Sequence, residues 1–158
     1  MRAGSTWVVV ALLLAAAPVG AQEAPDPKDL RAVQTCLKAR SKSPESCIDT
    51  VYRPCVGPRE NAKAPTELMD CMRREQRAWD KLLNDAFRTV REGLDEDQRA
   101  KLRDMQRAWI DARDKTCGFY YDYFQGSMAN PMIANCENRE TARRAIFLMG
   151  FADDMAGR

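Results

Sequence analysis

Apolar residues recur every three or four positions along most of the chain, which is the spacing of amphipathic helices. The longest stripe of this kind lies between Thr66 and Gly93, and charged residues fill its other faces. Its apolar members are Leu68, Met72, Trp79, Leu82, Leu83, Ala86, Phe87 and Val90. The stripe predicts a helix about 26 residues and roughly 40 Å long. We expect Thr66 to be its N-cap and Gly93 to end it in a left-handed conformation.

A second long stripe follows after a short connection. Asp95 and Gln98 have the spacing of a capping box, which satisfies backbone groups at the start of a helix. The members of this stripe are Leu102, Met105, Trp109, Ala112 and Thr116. Two long helices with so short a connection predict an antiparallel helix hairpin. No segment alternates with the period of two expected of a half-buried strand, so the predicted fold class is all-α.

Shorter helical patterns flank the predicted hairpin. The first covers residues 29–40 and has apolar positions at Leu30, Val33 and Leu37. A second short helix is expected to begin at Ser43, with Pro44 in its first position, and to stop before Pro54. A last helix is expected over about residues 137–155, where apolar residues again recur at helical spacing. The predicted domain is therefore a long hairpin with shorter helices around it.

Residues 1–21 have the layout of a secretory signal peptide. Arg2 supplies a positive charge, residues 7–17 form an unbroken apolar run, and residues 19–21 are small or apolar. The run is shorter than the roughly 20 residues that cross a membrane. We therefore expect a mature chain that begins at Gln22 and is periplasmic or secreted.

Six cysteines follow the predicted cleavage position, at residues 36, 47, 55, 71, 117 and 136. In an oxidising compartment an even number of cysteines indicates disulfides. Spacing favours the local pairs 36–47, 55–71 and 117–136, because the midpoint of each pair falls in a predicted turn. Because the first cysteine lies well after the cleavage position, we expect no lipid anchor. The chain has no histidine and no Cys-x-x-Cys spacing, so we expect no metal ion and no cofactor.

Charge and composition exclude several function classes. Removal of Arg2 with the signal peptide leaves 24 Lys and Arg against 23 Asp and Glu, which gives no drive toward nucleic acid. Without histidine the chain has no imidazole for acid–base or nucleophilic catalysis. We therefore expect no nucleic-acid partner and no enzyme. The oligomeric state does not follow from the sequence.

Aromatic residues crowd into residues 119–124, between two cysteines. Continuing the helical count from Trp109 predicts that Tyr120, Tyr123 and Phe119 face the core. The count turns other positions outward, beside a Gly-Ser turn, and these are the candidate partner-binding residues: Tyr121, Phe124, Gly126 and Ser127. The alternative is that the whole cluster packs as the end of a helix.

Two other sets of residues have both a structural and a functional interpretation. Trp79 and Trp109 lie on the apolar stripes, where core packing competes with a role in stacking on a ligand. Polar residues lie beside the same stripes, at Glu75, Asp80, Asn84, Gln106, Arg113 and Asp114. Such a cluster fixes the register between helices or, alternatively, binds a ligand.

These residues also carry a resemblance to a known family. The most specific run is Gln-x-x-Trp-x-x-x-Arg-Asp-x-x-Cys over residues 106–117, preceded by Cys71, Glu75 and the Trp79-Asp80 pair. Together they resemble the LprI-type lysozyme inhibitor N-terminal domain family over about residues 67–151. The resemblance implies an exported, disulfide-linked helical domain. It divides the chain into a signal peptide (1–21), a helical extension (22–64) and an LprI-like domain (65–158).

The resemblance also implies a partner. Inhibition of lysozyme is the leading hypothesis, and an envelope or secreted interaction module with another partner is the alternative. Phe87 stands where the family often has Tyr, and the family's namesake carries a lipid. A strongly basic lysozyme would be attracted by local acid, for which residues 95–97 and 153–154 are candidates.

Overall fold

The computed structural model describes residues 23–58 and 63–157, so the predicted signal peptide and Gln22 lie outside the described residues. Within them the chain is helical and has no strand, which confirms the all-α prediction. The helices are α1 (Pro27–Ala39), α2 (Tyr52–Val56), α3 (Pro65–Glu92), α4 (Glu96–Phe124) and α5 (Ala129–Ala156). Short 3-10 helices are present at Pro44–Cys47 and Gly126–Met128.

The three long helices run up, down and up. Helix α4 returns antiparallel to α3 after a short connection and is antiparallel to α5, so the predicted hairpin is present. The closest packing, however, joins α3 to α5, whereas α3 and α4 touch at few points. Small buried residues on α5, among them Ala134, Ala142 and Ala145, allow this close approach. The third long helix, rather than the second, therefore covers the apolar face of α3.

The core includes the N-terminal segment. Trp79 and Leu148 are fully buried at the α3–α5 contact, and Val33 of α1 is fully buried in the same cluster. The same buried cluster includes Ile48 and Val51, which lie between α1 and α2. Residues before α3 thus share one core with the three long helices.

A buried carboxylate ties this segment to α3. The side chain of Glu75 is fully buried. Its two oxygens accept hydrogen bonds from the backbone N–H groups of Asp49, Val51 and Tyr52 at 2.7, 2.7 and 2.8 Å. They also accept from Trp79 Nε1 at 3.1 Å and Asn138 Nδ2 at 3.3 Å. One ionisable side chain therefore joins three separate parts of the fold.

Covalent links and an ion pair reinforce the same attachment. The disulfides pair Cys36 with Cys47, Cys55 with Cys71 and Cys117 with Cys136, as the spacing predicts. The first two bind α1 and α2 into the N-terminal segment and onto α3, and the third joins α4 to α5. Arg74 donates two hydrogen bonds to the buried Asp29 of α1, at 2.8 and 2.9 Å.

Several predicted helix boundaries were wrong, and proline explains two of them. Pro54 lies inside α2 and Pro131 inside α5, which begins at Ala129 rather than near residue 137. Both prolines occupy the first turn of their helix, where the missing N–H has no intrahelical partner in any case. The helix predicted from Ser43 is a single 3-10 turn that ends at Cys47.

The caps of the long helices differ in part from the prediction. Helix α3 begins at Pro65 with Ala64 as its N-cap, so Thr66 is not the cap. Gly93 follows α3 at a φ of −86°, which is not left-handed. A Cβ atom there would collide with the Met155 methyl group, so any side chain at this position requires the flexible end of Met155 to move. The Asp95 capping box of α4 is present as predicted.

We predict that Glu75→Gln destabilises the protein by about 2–4 kcal/mol, because an amide cannot accept all of these hydrogen bonds and places an N–H group against backbone donors. Urea unfolding of the mature protein measures the change. Glu45→Gln, at an exposed position, is the matched control and should change stability by less than about 0.5 kcal/mol. Equal stability of both variants would show that the buried carboxylate is dispensable.

The two tryptophans should differ in their contribution to stability. Trp79 is fully buried, whereas Trp109 packs only partly against the core. We expect Trp79→Ala to cost about 3–5 kcal/mol and Trp109→Ala about 1–2 kcal/mol. Thermal and urea unfolding check the order. An equal or larger loss at Trp109 would contradict it.

Candidate partner-binding surfaces

Helix α4 has more exposed surface than a core helix, because its buried stripe is narrow. Only Leu102 and Cys117 are buried on it. The half-buried residues are Ala100, Met105, Gln106, Trp109, Arg113 and Tyr120, and all of them except Ala100 lie on the same side of the helix as Leu102 and Cys117. Ala112 and Thr116, which the sequence pattern placed on the stripe, are exposed. The stripe is turned because the buried disulfide of Cys117 directs that residue toward α5.

The position of the buried stripe around α4 decides which aromatic residues are exposed at the end of this helix. Phe119 and Tyr123, predicted to face the core, are 63% and 71% exposed. Tyr120 is half-buried, and Tyr121 and Phe124 are exposed, as predicted. We call the exposed set, with the neighbouring acid and methionine, the aromatic end: Phe119, Tyr121, Asp122, Tyr123, Phe124 and Met128.

Ring contacts order part of the aromatic end. Tyr123 meets Phe124 edge to face at a centroid distance of 5.0 Å, and Phe124 stacks on the half-buried Tyr120 at 5.8 Å. Phe119 and Tyr123 are 6.4 Å apart. Tyr120 therefore supports the exposed rings from the core side. An exposed cluster of large apolar side chains is uncommon on a protein that has no partner.

A tight turn follows the rings. Gln125 and Gly126 both have positive φ values, 51° and 71°, and Gly126–Met128 forms a 3-10 helix before α5 begins. Gly126 and Ser127 are both exposed. The Cys117–Cys136 disulfide closes the segment. The turn is thus short and cross-linked at its base.

A polar groove lies on the side of α3 that faces α4. It has a volume of about 580 Å³, and its lining includes Asp80, Asn84 and Arg113 as well as residues 23–25. Asn84 Nδ2 donates to Asp80 Oδ2 at 2.9 Å. Burial raises the pKa of the Asp80 carboxyl, against the opposing effects of the Arg113 charge and the Asn84 hydrogen bond.

Trp109 lies between two arginines at the contact of α4 with α5. The guanidinium groups of Arg113 and Arg144 lie 5.0 and 5.5 Å from the centroid of its ring. Arg144 Nε also donates to Gln106 Oε1 at 2.9 Å. Burial lowers the pKa of the Arg144 guanidinium. These contacts hold α4 against α5 and leave Trp109 half-buried.

An apolar groove lies at the opposite end of the three long helices. It has a volume of about 660 Å³, and its apolar lining includes Leu94, Leu102, Met105, Phe151 and Met155. Phe147 and Phe151 are both partly exposed and meet edge to face at 5.1 Å. Their spacing of four residues places them on one helix face. This spacing is visible in the sequence, but these two residues were not among the predicted surface residues.

A family model with the description "Lysozyme inhibitor LprI" matches residues 55–148, more than half of the chain. The chain belongs to the LprI family. The matched region contains the last two residues of α2, all of α3 and α4 and most of α5, with two of the three disulfides. Comparisons with curated proteins and with solved structures found no match. The family description names inhibitors and not enzymes.

The LprI-like polar residues do not form one site. Glu75 is buried as the structural anchor, and Gln106 is bound to Arg144. Asp114 is exposed and pairs with Arg113 at 2.8 Å. Asp80 and Asn84 line the polar groove with Arg113. The structural interpretation therefore applies to Glu75 and Gln106, and ligand binding stays a hypothesis for Asp80, Asn84 and Arg113.

The described residues meet neither the requirements of a metal site nor those of a membrane-spanning helix. Among the residues that the structure describes, no group of Cys, Asp and Glu is arranged to hold a metal ion. No helix in residues 23–58 and 63–157 is both long and apolar enough to cross a membrane.

Substitutions of the aromatic residues test which of them belong to the buried stripe of α4. Tyr120→Ala should lower stability by about 1–2 kcal/mol, because its ring packs under the exposed rings. Tyr121→Ala and Tyr123→Ala should each change it by less than about 0.5 kcal/mol, as expected for exposed residues. Thermal unfolding measures all three. A large loss at Tyr123 would mean that the aromatic residues belong to the core.

Substitution of Asp80 tests the polar groove through pH. Because its pKa is raised in the folded protein, ionisation of Asp80 costs stability as the pH rises above the ordinary aspartate value of 3.8. We expect Asp80→Asn to gain in melting temperature over wild type from about pH 3 to about pH 7. Asp104→Asn, at an exposed position of α4, is the control. A difference between Asp80→Asn and wild type that does not change with pH would contradict the burial effect.

Proposed function

We propose that the protein is an exported lysozyme inhibitor that binds lysozyme through the aromatic end of α4. The observation that carries the proposal is the match of residues 55–148 to the lysozyme inhibitor LprI family. Inhibition requires no catalytic group. It requires a surface that binds beside or within the substrate cleft of lysozyme and stays there. The aromatic end has the properties expected of such a surface.

The first property is that three of its exposed rings contact one another and that the helix that carries all of its rings is fixed in position. Tyr121 and Phe124 were candidates from the sequence, and Phe119 and Tyr123 extend the exposed set. The rings project from one continuous helix, and the disulfide of Cys117 fixes that helix to α5. A preorganised surface loses little conformational entropy on binding. Tyrosine is also enriched among the residues that dominate binding energy.

The second observation that supports the proposal concerns the compartment in which the protein is found. Three disulfides are typical of proteins that fold in an oxidising compartment. This supports export, to the periplasm or outside the cell, after removal of the proposed signal peptide (1–21). In the mature chain the proposed extension (22–64) stabilises α3, and the proposed LprI-like domain (65–158) carries the binding surface.

A second candidate function is an interaction module for a partner other than lysozyme. The observation that favours it is the polar groove, where Asp80, Asn84 and Arg113 come together inside the matched region. Such a partner would contact α3 and α4 at the groove, and binding would depend on Asp80. Binding of lysozyme at the aromatic end would not depend on Asp80.

A lysis assay on bacterial walls tests the proposed function. Purified mature protein should slow wall lysis by a strongly basic animal-type lysozyme. The double variant Tyr121→Ala/Tyr123→Ala should weaken inhibition by at least about fivefold, which corresponds to about 1 kcal/mol. Its folding should be unchanged, because both rings are exposed.

Phe151→Ala is the matched control, because it removes a partly exposed ring at the opposite end of the helices. It should inhibit like wild type. No inhibition by wild type at large molar excess, across several classes of lysozyme, would overturn the proposed function. Loss of inhibition in Phe151→Ala alone would move the binding surface to the apolar groove.

A further inference from the structure

The aromatic end contains an acidic residue without an ion-pair partner. Upstream on α4, Asp104, Asp111 and Asp114 each pair with a neighbouring cation, at 3.8, 2.7 and 2.8 Å. No cation in the described part of the chain lies within ion-pair distance of Asp122. The chain has no Lys or Arg from residue 116 to residue 138. Asp122 therefore differs from these three acids of its helix.

A notch adjoins this carboxylate. Gly118 lies four residues before Asp122 and Tyr121 lies three residues after Gly118, so all three are neighbours on the helix surface. Apart from the residues next to it and the backbone of its own helix turn, nothing lies within 4 Å of the position that a Cβ of Gly118 would occupy. Tyr121 is 60% exposed. The surface at Gly118 is thus open, with an aromatic ring and a carboxylate along one edge.

The backbone adds further negative potential at this place. The last turn of α4 contains no basic residue, and the carbonyl end of a helix carries a partial negative charge. The faces of aromatic rings also attract cations. Carboxylate, ring faces and helix carbonyls therefore favour the same kind of group.

We propose that the notch defined by Gly118, Tyr121 and Asp122 binds an arginine or lysine side chain of a basic protein partner. The inference rests on the proposed function only for the identity of that partner, a strongly basic lysozyme. The acidic segments at residues 95–97 and 153–154 lie at the opposite end of the helices, because α4 is 29 residues long, about 43 Å. Attraction of a basic partner to the aromatic end therefore depends on Asp122 and its surroundings.

The decisive variant is Gly118→Leu, which fills the notch without changing charge. Leucine is a better helix former than glycine, and the open surface accommodates its side chain. The variant should therefore melt at or above the temperature of wild type. Asp122→Asn removes the charge and keeps the shape, and Asp104→Asn is the matched control about 27 Å away along α4.

A first measurement needs no lysozyme. Two end-blocked peptides, Gly-Arg-Gly and Gly-Glu-Gly, are titrated into the labelled mature protein and followed by NMR. The arginine peptide should shift the signals of residues 118–122 in wild type and Asp104→Asn, but not in Gly118→Leu or Asp122→Asn. Equal shifts with the glutamate peptide, or none with either peptide, would overturn the proposal.

A second measurement uses lysozyme. Gly118→Leu and Asp122→Asn should bind a basic lysozyme at least about fivefold more weakly than wild type and Asp104→Asn. Unchanged lysozyme binding in both variants would overturn the notch and leave the proposed function standing. Peptide binding without lysozyme binding would support the notch and overturn the proposed function. Binding to zwitterionic vesicles that needs Tyr123 but not Asp122 would overturn the proposal in favour of a membrane contact.

Discussion

The structure depends on a single buried carboxylate. Glu75 accepts hydrogen bonds from three backbone amides of the N-terminal segment, from Trp79 and from Asn138 of α5. A buried charge is tolerated only when its hydrogen-bonding capacity is filled, and here the filling groups come from three parts of the chain. The carboxylate therefore requires that the N-terminal segment, α3 and α5 assemble together. Positive φ at Asp49 is held by the same contacts.

This arrangement leaves α4 free for another role. Because α5 covers α3, α4 contributes only a narrow stripe to the core. The Cys117–Cys136 disulfide and the Gln106–Arg144 hydrogen bond fix its position along α5. Its outer faces and its aromatic end need not contribute to folding. Substitutions on the outer faces of α4 can therefore test the proposed partner binding with little change in stability.

Much of this fold could be predicted from the sequence, because local signals agreed with the tertiary structure. The Asp95 capping box and the cysteine spacing each reflect contacts between residues near in sequence. Predictions failed where distant contacts decided the outcome. Gly93 lies against the Met155 methyl group and does not have the left-handed backbone conformation that was predicted for it. The exposure of Tyr123 follows from the disulfide that turns α4, and no helical count from Trp109 includes that constraint.

The central claim is that the assembled core supports the fold while the aromatic end of α4 is free to bind lysozyme. Hydrogen–deuterium exchange of the mature protein, with and without saturating basic lysozyme, tests it most directly. We expect lysozyme to slow the exchange of backbone amides in residues 118–128. The amides that donate to Glu75, at residues 49, 51 and 52, should exchange slowly in both states. Slowed exchange confined to residues 95–98 and 150–157 would contradict the account.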